Sequence, residues 1–482
     1  MKLIFEKSIC GRTAINIPDS GVDECKYPEK QYLRTDDIHL PEMSELDIVR
    51  HFTNLSKMNF SVDSNFYPLG SCTMKYNPKI LERIASLNGF TAIHPFLAYI
   101  KSTQNQVQGA LEVLFDLQNM LADITGMDKV SLQPLAGAQG ELAGILIAQA
   151  YHKSKQNRKK YIIIPDASHG TNPASAAMAG YEIISIPTSS NGQMDLSIFK
   201  EKITNDVAAV IMTCPNTLGI FNTDIKEICD IAHSVDSLMY YDGANLNAIL
   251  GKVKPADIGF DIVHINLHKT FATPHGGGGP GAGPLGVKDF LADFLPVPFA
   301  DKNNSGSFCL SFDHKYSIGQ MAPFYGNFSV LLKAYAYILL IGKNGLSDIS
   351  DKAVLNANYI MEKLKDYYKP AYDRRCMHEC VLSAADLKEK GVRAADIAKY
   401  LIDAGIHPPT VYFPLIVEEA LMIEPTETES KETLDIFINA MIDAFNTAVN
   451  DPQRLKDSPL STPVKRPDET LAARKPNLRY NT

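Results

Sequence analysis

Between residues 161 and 267 the sequence alternates short apolar runs with segments of helical character. The apolar runs are typical of strands buried on both faces, and they fall at 161–165, 182–186, 208–212, 238–241 and 262–267. Helices are predicted among them at 173–179 and 225–234. This alternation predicts an α/β fold with a largely parallel sheet covered by helices on both faces. In such sheets ligands bind at the carboxyl ends of the strands.

The chain is long enough for more than one domain, since it has 482 residues of which 45% are hydrophobic. We predict an N-terminal arm over residues 1–80, a large domain over 81–330, a smaller C-terminal α/β domain over 331–450 and a tail over 451–482. Further helices are predicted at 45–50, 104–125, 142–150, 329–340 and 431–448, the last of them capped by residues 428–430.

Composition excludes several classes of function. The net charge is −8 and no basic stripe occurs, so a nucleic-acid partner is not expected. No uninterrupted apolar run reaches the roughly 18 residues of a membrane span, and residues 1–7 lack the apolar core of an export signal. The eight cysteines are scattered without a zinc pattern, which predicts free thiols, no bound metal and a reducing, cytoplasmic compartment.

A lone lysine follows the last apolar run. Lys269 lies between His268 and Thr270, shortly before the glycine loop 276–279, and a lysine so placed can lose its proton and act as an amine nucleophile. Asp242 follows the preceding apolar run, 27 residues earlier. Taken alone, such a lysine is usually a solvated charge and such an aspartate a turn residue. Together they predict a pyridoxal-phosphate enzyme, in which the lysine forms the Schiff base and the aspartate keeps the pyridinium nitrogen protonated.

Two further segments supply candidate cofactor contacts. Ala138 and Gln139 lie in the small-residue turn 135–141, which opens a predicted helix and exposes backbone N–H groups at the positive end of its dipole. Such a turn suits a phosphate group, although many helices open in this way. His169 follows the strand 161–165. In a pyridoxal enzyme it would stack on the cofactor ring, whereas a lone histidine after a strand is more often a loop residue.

The remaining candidates lie next to the later strands. Asn216 and Thr217 follow the run 208–212 and are assigned to the phenolic oxygen of the cofactor, with a plain proline turn as the alternative. Ala244, two residues after Asp242, is assigned to cofactor binding. His268 is assigned to the phosphate, with a core histidine as the alternative.

At several motifs the chain resembles the P-protein of the glycine cleavage system, the pyridoxal-phosphate enzyme glycine decarboxylase. The resemblance spans essentially the whole chain. Its motifs are Pro68-Leu69-Gly70-Ser71-Cys72-Thr73-Met74-Lys75, 136–141, 169–174, 242–247, 266–284, His407-Pro408-Pro409-Thr410 and Met422-Ile423-Glu424-Pro425-Thr426-Glu427. Single-chain members are much longer, and this chain is similar to their cofactor-bearing C-terminal half, which is subunit 2 of the split form.

The resemblance implies a fold of the aspartate-aminotransferase type (fold type I) with pyridoxal 5'-phosphate as cofactor. It implies decarboxylation of glycine, release of CO2 and transfer of the aminomethyl group to the lipoyl arm of H-protein, from which the aminomethyltransferase (T-protein) receives it. A separate subunit 1 is the implied partner, in an α2β2 assembly. Lys269, His169 and Asp242 are the implied catalytic residues.

Other interpretations remain open. A cysteine desulfurase of the same fold would need a reactive cysteine, and Cys72, flanked by glycine and serine, is the candidate. A scaffold subunit without chemistry would have lost Lys269 or Asp242, and both are present. A phosphate-loop nucleotide enzyme is excluded, because no Lys-Ser or Lys-Thr pair follows the glycine loop.

Overall fold

A computed structural model describes residues 2–22, 28–36, 38–275 and 280–478. These residues form two compact units: the described residues of 1–64 and 461–478 make one, and Asn65–Leu460 makes the other. The α-helices are α1 (Glu45–Ser56), α2 (Lys79–Ala85), α3 (Asn88–Thr91), α4 (Phe96–Tyr99), α5 (Gln108–Thr125), α6 (Gly137–Ser154), α7 (Thr171–Met178), α8 (Leu196–Lys202), α9 (Ile225–Ser234), α10 (Pro255–Ile258), α11 (Leu267–Thr270), α12 (Phe328–Leu364), α13 (Ala394–Asp403), α14 (Lys431–Asn450), α15 (Pro452–Asp457) and α16 (Glu469–Arg474). The strands are β1 (Lys129–Ser131), β2 (Tyr161–Pro165), β3 (Glu182–Ile186), β4 (Val207–Thr213), β5 (Leu238–Gly243), β6 (Ile262–Ile265), β7 (Leu285–Val287), β8 (Phe299–Lys302), β9 (Phe308–Ser311), β10 (Lys369–Pro370), β11 (Cys380–Ser383), β12 (Thr410–Val411) and β13 (Ala420–Ile423).

The smaller unit contains α1 and α16, each opened by a side chain that caps its first turn. Ser44 accepts a hydrogen bond from the backbone N–H of Asp47, and Asp468 accepts one from that of Leu471. The predicted helix at 45–50 is therefore present and extends to Ser56.

The main sheet of the larger unit has the strand order β1-β7-β6-β5-β4-β2-β3. The five strands from β2 to β6 pair in parallel, while β7 runs antiparallel to both of its neighbours. The prediction of a largely parallel α/β sheet is confirmed. Thr213 on β4, Asp242 on β5 and His264 on β6 lie side by side in register, so one row of the sheet carries three polar side chains.

Helices cover both faces of this sheet because successive strand residues point in opposite directions. Tyr240 packs in a buried cluster with residues of α6, whereas Met239 and Tyr241 pack in another cluster with residues of α5. Helix α6 approaches the strands closely. A Cβ at Gly144 would lie 2.1 Å from Cε2 of Tyr240, so only glycine fits there.

A second, four-stranded antiparallel sheet has the order β10-β11-β13-β12. It packs with α13 and α14 around a separate hydrophobic cluster. The segment before α2 also belongs to this region, since Leu69 forms a bridge with Ile423. The long helix α12 is two helices joined at Gly342, whose φ of 68° breaks the helical geometry. The domain limits at 80, 330 and 450 remain predictions.

One predicted strand is too long. The run 262–267 forms a strand only as far as Ile265, because β5 pairs with residues 262–265 and β7 with residues 262–264. The chain then turns into α11, where the Lys269 N–H bonds the Asn266 carbonyl and the Phe271 N–H bonds that of Leu267. Lys269 therefore lies on a single helical turn rather than directly after a strand.

The other elements agree with the prediction within a few residues, except that α6 begins at Gly137 rather than at 142 and α12 continues far beyond 340. The seven cysteines that the structure describes are free thiols, and Cys25 lies outside the described residues. None of the helices in the described ranges combines the length and the hydropathy needed to span a lipid bilayer.

Candidate active site

Asp242 lies at the carboxyl end of β5 with its side chain fully buried. Its Oδ2 accepts hydrogen bonds from Nδ2 of Asn172 at 2.9 Å and from the hydroxyl of Thr213 at 2.8 Å. Its Oδ1 accepts the backbone N–H of Ala244 at 3.1 Å and lies 3.4 Å from Nε2 of His264. The three donors come from α7, β4 and the turn after β5, and His264 of β6 lies beside them, so the carboxylate is fixed by several elements.

The donors decide the charge of this carboxylate. Burial acts to raise the pKa of Asp242, but the neighbouring His264 and the bonds from Asn172 and Thr213 outweigh it, and the pKa is lowered overall. A buried carboxylate that stays anionic at neutral pH can hold a proton on a facing ring nitrogen.

Lys269 is almost buried, with 9% of its surface exposed. Within the described ranges of the chain, its ammonium has no hydrogen-bond or ion-pair partner, and its backbone N–H bonds only the Asn266 carbonyl. Lysines are seldom buried unless paired, so this amine is unusual. It lies within electrostatic reach of Asp242's neighbours, because its charge acts on the pKa values of His169 and His264.

His169 lies in the loop between β2 and α7. Its Nδ1 is 2.8 Å from the hydroxyl of Thr171, and its ring meets that of Phe413 edge-on with centroids 6.0 Å apart. Burial lowers the pKa of His169, Asp242 opposes this, and the Lys269 ammonium lowers it further. His169, Asp242 and Lys269 therefore gather at one edge of the sheet.

The N-terminus of α6 opens toward the same edge. Ala138 is exposed in its first turn, whose backbone N–H groups have no carbonyl partner in their own helix. A Cβ at Gly137 would lie 2.5 Å from Oδ1 of Asn266, and that buried oxygen has no hydrogen-bond partner in the described structure. Glycine at 137 thus lets the first turn of α6 lie close to Asn266 with its backbone N–H groups free, and free N–H groups at a helix N-terminus can bind a phosphate group.

Gln139 is placed differently from its predicted use. Its Oε1 accepts the Leu135 N–H at 2.6 Å and its Nε2 donates to the Met321 carbonyl at 2.6 Å. The side chain thus braces the turn, and only its backbone remains a candidate contact for a phosphate.

Asn216 and Thr217 are likewise engaged within their own loop. Asn216 donates to the Gly192 carbonyl and accepts the N–H groups of Leu218 and Ile220. The Thr217 hydroxyl donates to the Ala167 carbonyl at 2.8 Å. The structure therefore gives both a loop-forming role, and their cofactor contacts remain predictions.

Ala244 and His268 flank the two central residues. The backbone N–H of Ala244 donates its hydrogen bond to Asp242, as described above. His268 lies against His275 with ring centroids 5.1 Å apart, and burial together with His275 and Lys269 lowers its pKa to about 3. A neutral imidazole results. The glycine loop 276–279 lies outside the described residues.

A second polar cluster, which sequence reasoning did not assign, faces Lys269. Ser71 donates its N–H to buried Glu379 at 2.9 Å, and Thr73 donates to buried Glu424. Burial and the charge of Glu424 raise the pKa of Glu379 to about 8, against the Lys269 ammonium. His378, Glu379 and Glu424 each offer one atom of the kind that can bind a metal ion, and these three atoms lie within 4.8 Å of one another. The motifs around 68–75 and 422–427 were the available signal, but nothing in either predicts that they meet.

Comparison with known proteins gives this edge its context. Residues 22–298 match the family described as glycine cleavage system P-protein, and residues 349–462 match the glycine dehydrogenase C-terminal domain. The chain belongs to the glycine cleavage system P-protein family. A relative from Caldanaerobacter subterraneus is 54% identical over 99% of this chain and 98% of its own. One from Listeria monocytogenes is 53% identical over 100% of this chain and 98% of its own. Both are named probable glycine dehydrogenase (decarboxylating) subunit 2.

Solved structures agree on the fold. A crystal structure of an inhibitor-bound glycine decarboxylase (P-protein) matches with a TM-score of 0.71 at 20% identity, over 86% of this chain and 93% of that one. The Escherichia coli cysteine desulfurase CsdA matches with a TM-score of 0.60 at 15% identity, over 80% and 95%. This P-protein family member therefore has the predicted fold type I.

Proposed function

We propose that this chain is the cofactor-bearing subunit of a two-subunit glycine decarboxylase. It would bind pyridoxal 5'-phosphate, decarboxylate glycine and transfer the aminomethyl group to the lipoyl arm of H-protein. Full-length identity above 50% to relatives named glycine dehydrogenase (decarboxylating) subunit 2 supports the reaction. That name also supports a separate subunit 1.

The observation that carries the proposal is that Lys269 and Asp242 belong to the ends of two neighbouring strands, β6 and β5. The nearly buried Lys269 amine, without a partner in the described structure, lies on the helical turn that follows β6, and the buried, anionic Asp242 carboxylate lies at the end of the paired strand β5. A structural lysine would be paired, and a structural aspartate would not need an unpaired amine beside it. A cofactor that bonds to the amine and presents a basic ring nitrogen to the carboxylate satisfies both groups.

The other residues of the edge fit the same cofactor. The open first turn of α6, from Gly137 to Gln139, would hold the phosphate group on its backbone N–H groups. Asp242 would hold a proton on the ring nitrogen, and His169 would limit the tilt of the ring. Lys269 would bond the carbonyl carbon and, after the glycine amine displaces it, take or return a proton at its Nζ.

Bound pyridoxal phosphate supplies an electron sink that accepts the electron pair of the bond to the departing carboxylate. The carboxylate leaves as CO2, and the aminomethyl carbon then bonds one sulfur of the lipoyl disulfide. The other sulfur leaves as a thiolate and takes up a proton, so the disulfide is reduced as the carbon is oxidised. Lipoylated H-protein and, after it, the aminomethyltransferase (T-protein) are therefore the proposed partners.

The test is glycine-dependent exchange of labelled bicarbonate in the presence of lipoylated H-protein. The chain is assayed alone and with its proposed subunit 1, in the native form and as Lys269→Ala. The exposed Lys129 of β1 provides a matched control, Lys129→Ala. We expect exchange that needs both subunits, survives the control substitution and is lost in Lys269→Ala.

Other outcomes correct the proposal in definite ways. Exchange by this chain alone would place the complete site on it and remove the need for subunit 1. A protein that gains the visible absorbance of bound cofactor but shows no exchange under either condition would overturn the glycine reaction. A protein that never gains that absorbance would overturn the cofactor itself.

A further inference from the structure

Beside Asp242 lies a buried group of side chains that the proposed reaction does not use. His264 on β6 is fully buried beside Asp242, and Glu141 on α6 is 5% exposed. Nε2 of His264 lies 3.4 Å from Oδ1 of Asp242 and 3.9 Å from Oε1 of Glu141. A single imidazole nitrogen therefore faces two carboxylates.

The close approach of α6 to the sheet creates this arrangement. A Cβ at Gly140 would lie 3.2 Å from Cβ of His264, so the residue before Glu141 must be small. Glu141 is held in turn by α7, because the hydroxyls of Thr171 and Ser175 donate to its two oxygens at 2.8 and 3.3 Å. Its carboxylate is thus fixed by side chains, although none of these donors is charged.

The protonation of His264 follows from its surroundings. Its Nδ1 is 2.8 Å from the hydroxyl of Tyr240, which can donate to it. If Tyr240 donates to Nδ1, the hydrogen of the neutral imidazole lies on Nε2; if Tyr240 donates to the Gly140 carbonyl at 3.4 Å, that hydrogen lies on Nδ1 and points to the Tyr240 oxygen. Nε2 has no hydrogen-bond partner at normal distance in the described structure, and Asp242 and Glu141 are the two acidic side chains nearest to it.

We propose that Glu141 is a positioning residue of the cofactor site, whose buried carboxyl group, held by Thr171 and Ser175 and 3.9 Å from His264, provides a second negative charge behind Asp242. The part of the proposal that concerns the cofactor rests on the proposed function. The part that concerns the Glu141 proton does not, because Glu141 and these neighbours belong to the chain itself.

The titration of the group agrees with this role. Burial and the charge of Asp242 raise the pKa of Glu141 to about 7, against the Thr171 and Ser175 hydrogen bonds and the Lys269 ammonium. Burial lowers the pKa of His264 to about 4, so the imidazole stays neutral. The titratable groups that face Glu141 and His264 are Asp242 and Tyr240 on β5, His169 before α7 and Lys269 on α11.

A second negative charge therefore develops behind Asp242 as the pH rises through about 7. That charge would favour a proton on the ring nitrogen of a bound cofactor. Glu141 would thus make the proton affinity of the site depend on pH within the neutral range.

The first test uses the chain without cofactor. Unfolding by urea is measured from pH 5 to pH 8 for the native chain and for Glu141→Gln, with exposed Glu182→Gln of β3 as the control. The unfolded state loses the Glu141 proton near the ordinary value of 4.5 while the folded state keeps it to about 7. The native chain should therefore lose stability relative to Glu141→Gln over this window, by up to about tenfold in the unfolding constant per pH unit.

Equal pH dependence of the native chain and Glu141→Gln would overturn the proposal. If Glu141→Gln does not fold, Ser175→Ala decides, because it keeps the carboxylate and removes one hydrogen bond that lowers its pKa. The stability change of Ser175→Ala should move to higher pH, and an unchanged profile would count against the proposal.

The second test separates this inference from the proposed function. The visible absorbance of the pyridoxal-phosphate-loaded chain is titrated with pH, and Glu141→Gln should shift the transition to lower pH while Glu182→Gln leaves it in place. Binding with an unshifted transition would overturn the positioning role alone. Failure of the native chain to bind the cofactor would overturn the proposed function, and the urea experiment would then judge Glu141 by itself.

Discussion

Thr73 donates both its backbone N–H and its hydroxyl to one carboxylate, that of Glu424, at 3.0 and 2.6 Å. Asn245, three residues after Asp242, donates to the same carboxylate at 2.7 Å. Glu424 directly follows β13 of the smaller sheet, whereas Asn245 follows β5 of the main sheet. One buried side chain therefore joins the segment 71–75, the end of β5 and the smaller sheet near the candidate site.

Replacing Glu424 by glutamine should destabilise the larger unit. The amide offers one acceptor oxygen instead of two, and its NH2 group would face either the Thr73 N–H or the Asn245 amide. We expect a loss of about 1–3 kcal/mol in the free energy of unfolding, measured in urea. Exposed Glu389→Gln is the control, and equal stability of the two variants would contradict the joining role.

The ion pair between Lys75 and Glu427 should be costly to break on one side only. Their atoms are 2.7 Å apart and the side chains are 1% and 7% exposed, so Lys75→Met leaves a buried carboxylate unpaired. We expect a loss of roughly 3–5 kcal/mol for Lys75→Met and a clearly smaller loss for the double variant Lys75→Met/Glu427→Leu. Additive losses in a double-mutant cycle by urea unfolding would argue against the pairing.

Gly144→Ala should push α6 away from the sheet. The new Cβ would lie 2.1 Å from the ring of Tyr240, so the helix or the ring must move, at a cost of about 1–3 kcal/mol in unfolding free energy. Gly109→Ala is the matched control, because it lies in α5 with open space around it and should stabilise by about 0.5–1 kcal/mol. Similar effects of the two substitutions on the urea midpoint would refute the close approach.

Cys72 should react slowly, contrary to the desulfurase interpretation. Burial raises its pKa, which the Lys269 ammonium only partly opposes, so little thiolate forms at neutral pH. Alkylation by iodoacetamide, followed by peptide mass spectrometry, should be slower at Cys72 than at exposed Cys10. Faster alkylation of Cys72, together with sulfide release from cysteine that disappears in Cys72→Ser, would favour the desulfurase.

Glu379 should make stability fall as the pH rises. Its pKa is about 8 in the folded chain and 4.5 without burial, so the unfolded state releases the proton first and gains stability across that window. Glu379→Gln keeps an acceptor for the Ser71 N–H but cannot titrate. Relative to the native chain, it should be more stable at pH 8 than at pH 5 in urea unfolding. If the difference in stability between Glu379→Gln and the native chain is the same at pH 5 and pH 8, Glu379 is not the group that titrates in this range.

Strands β2, β4, β5 and β6 were predictable because they are buried on both faces and so appear as continuous apolar runs, whereas β3, at the edge of the sheet, is largely exposed. That the ends of β5 and β6 meet at one edge was predictable for a related reason, because the two strands are parallel neighbours, whereas the roles of Asp242 and Lys269 there remain predictions. The smaller sheet was not identified, because β10 and β12 have only two residues each and are defined by their partners. The antiparallel β7 was hidden in the same way, as a three-residue strand after the glycine loop.

The side-chain uses of Gln139 and Asn216 were also beyond prediction. Both are polar residues in loops of the expected composition, but their amides bond backbone groups such as Met321 and Gly192, which are distant in sequence. Glu141 and His264 escaped notice for the opposite reason. They lie in apolar surroundings on a helix and a strand, where only their three-dimensional meeting with Asp242 distinguishes them from ordinary core polar residues.

Helix α6 bears glycine at 137, 140 and 144, and at each position an added Cβ would collide with the sheet or the segment beside it. The positions of the open first turn and of Glu141 therefore both depend on the close packing of α6 against the sheet. A larger residue at any of the three glycines would move the turn proposed to bind phosphate and the Glu141 carboxylate together. The affinity of this turn for a phosphate group and the protonation of Glu141 should therefore change together, because both depend on the distance between α6 and the sheet.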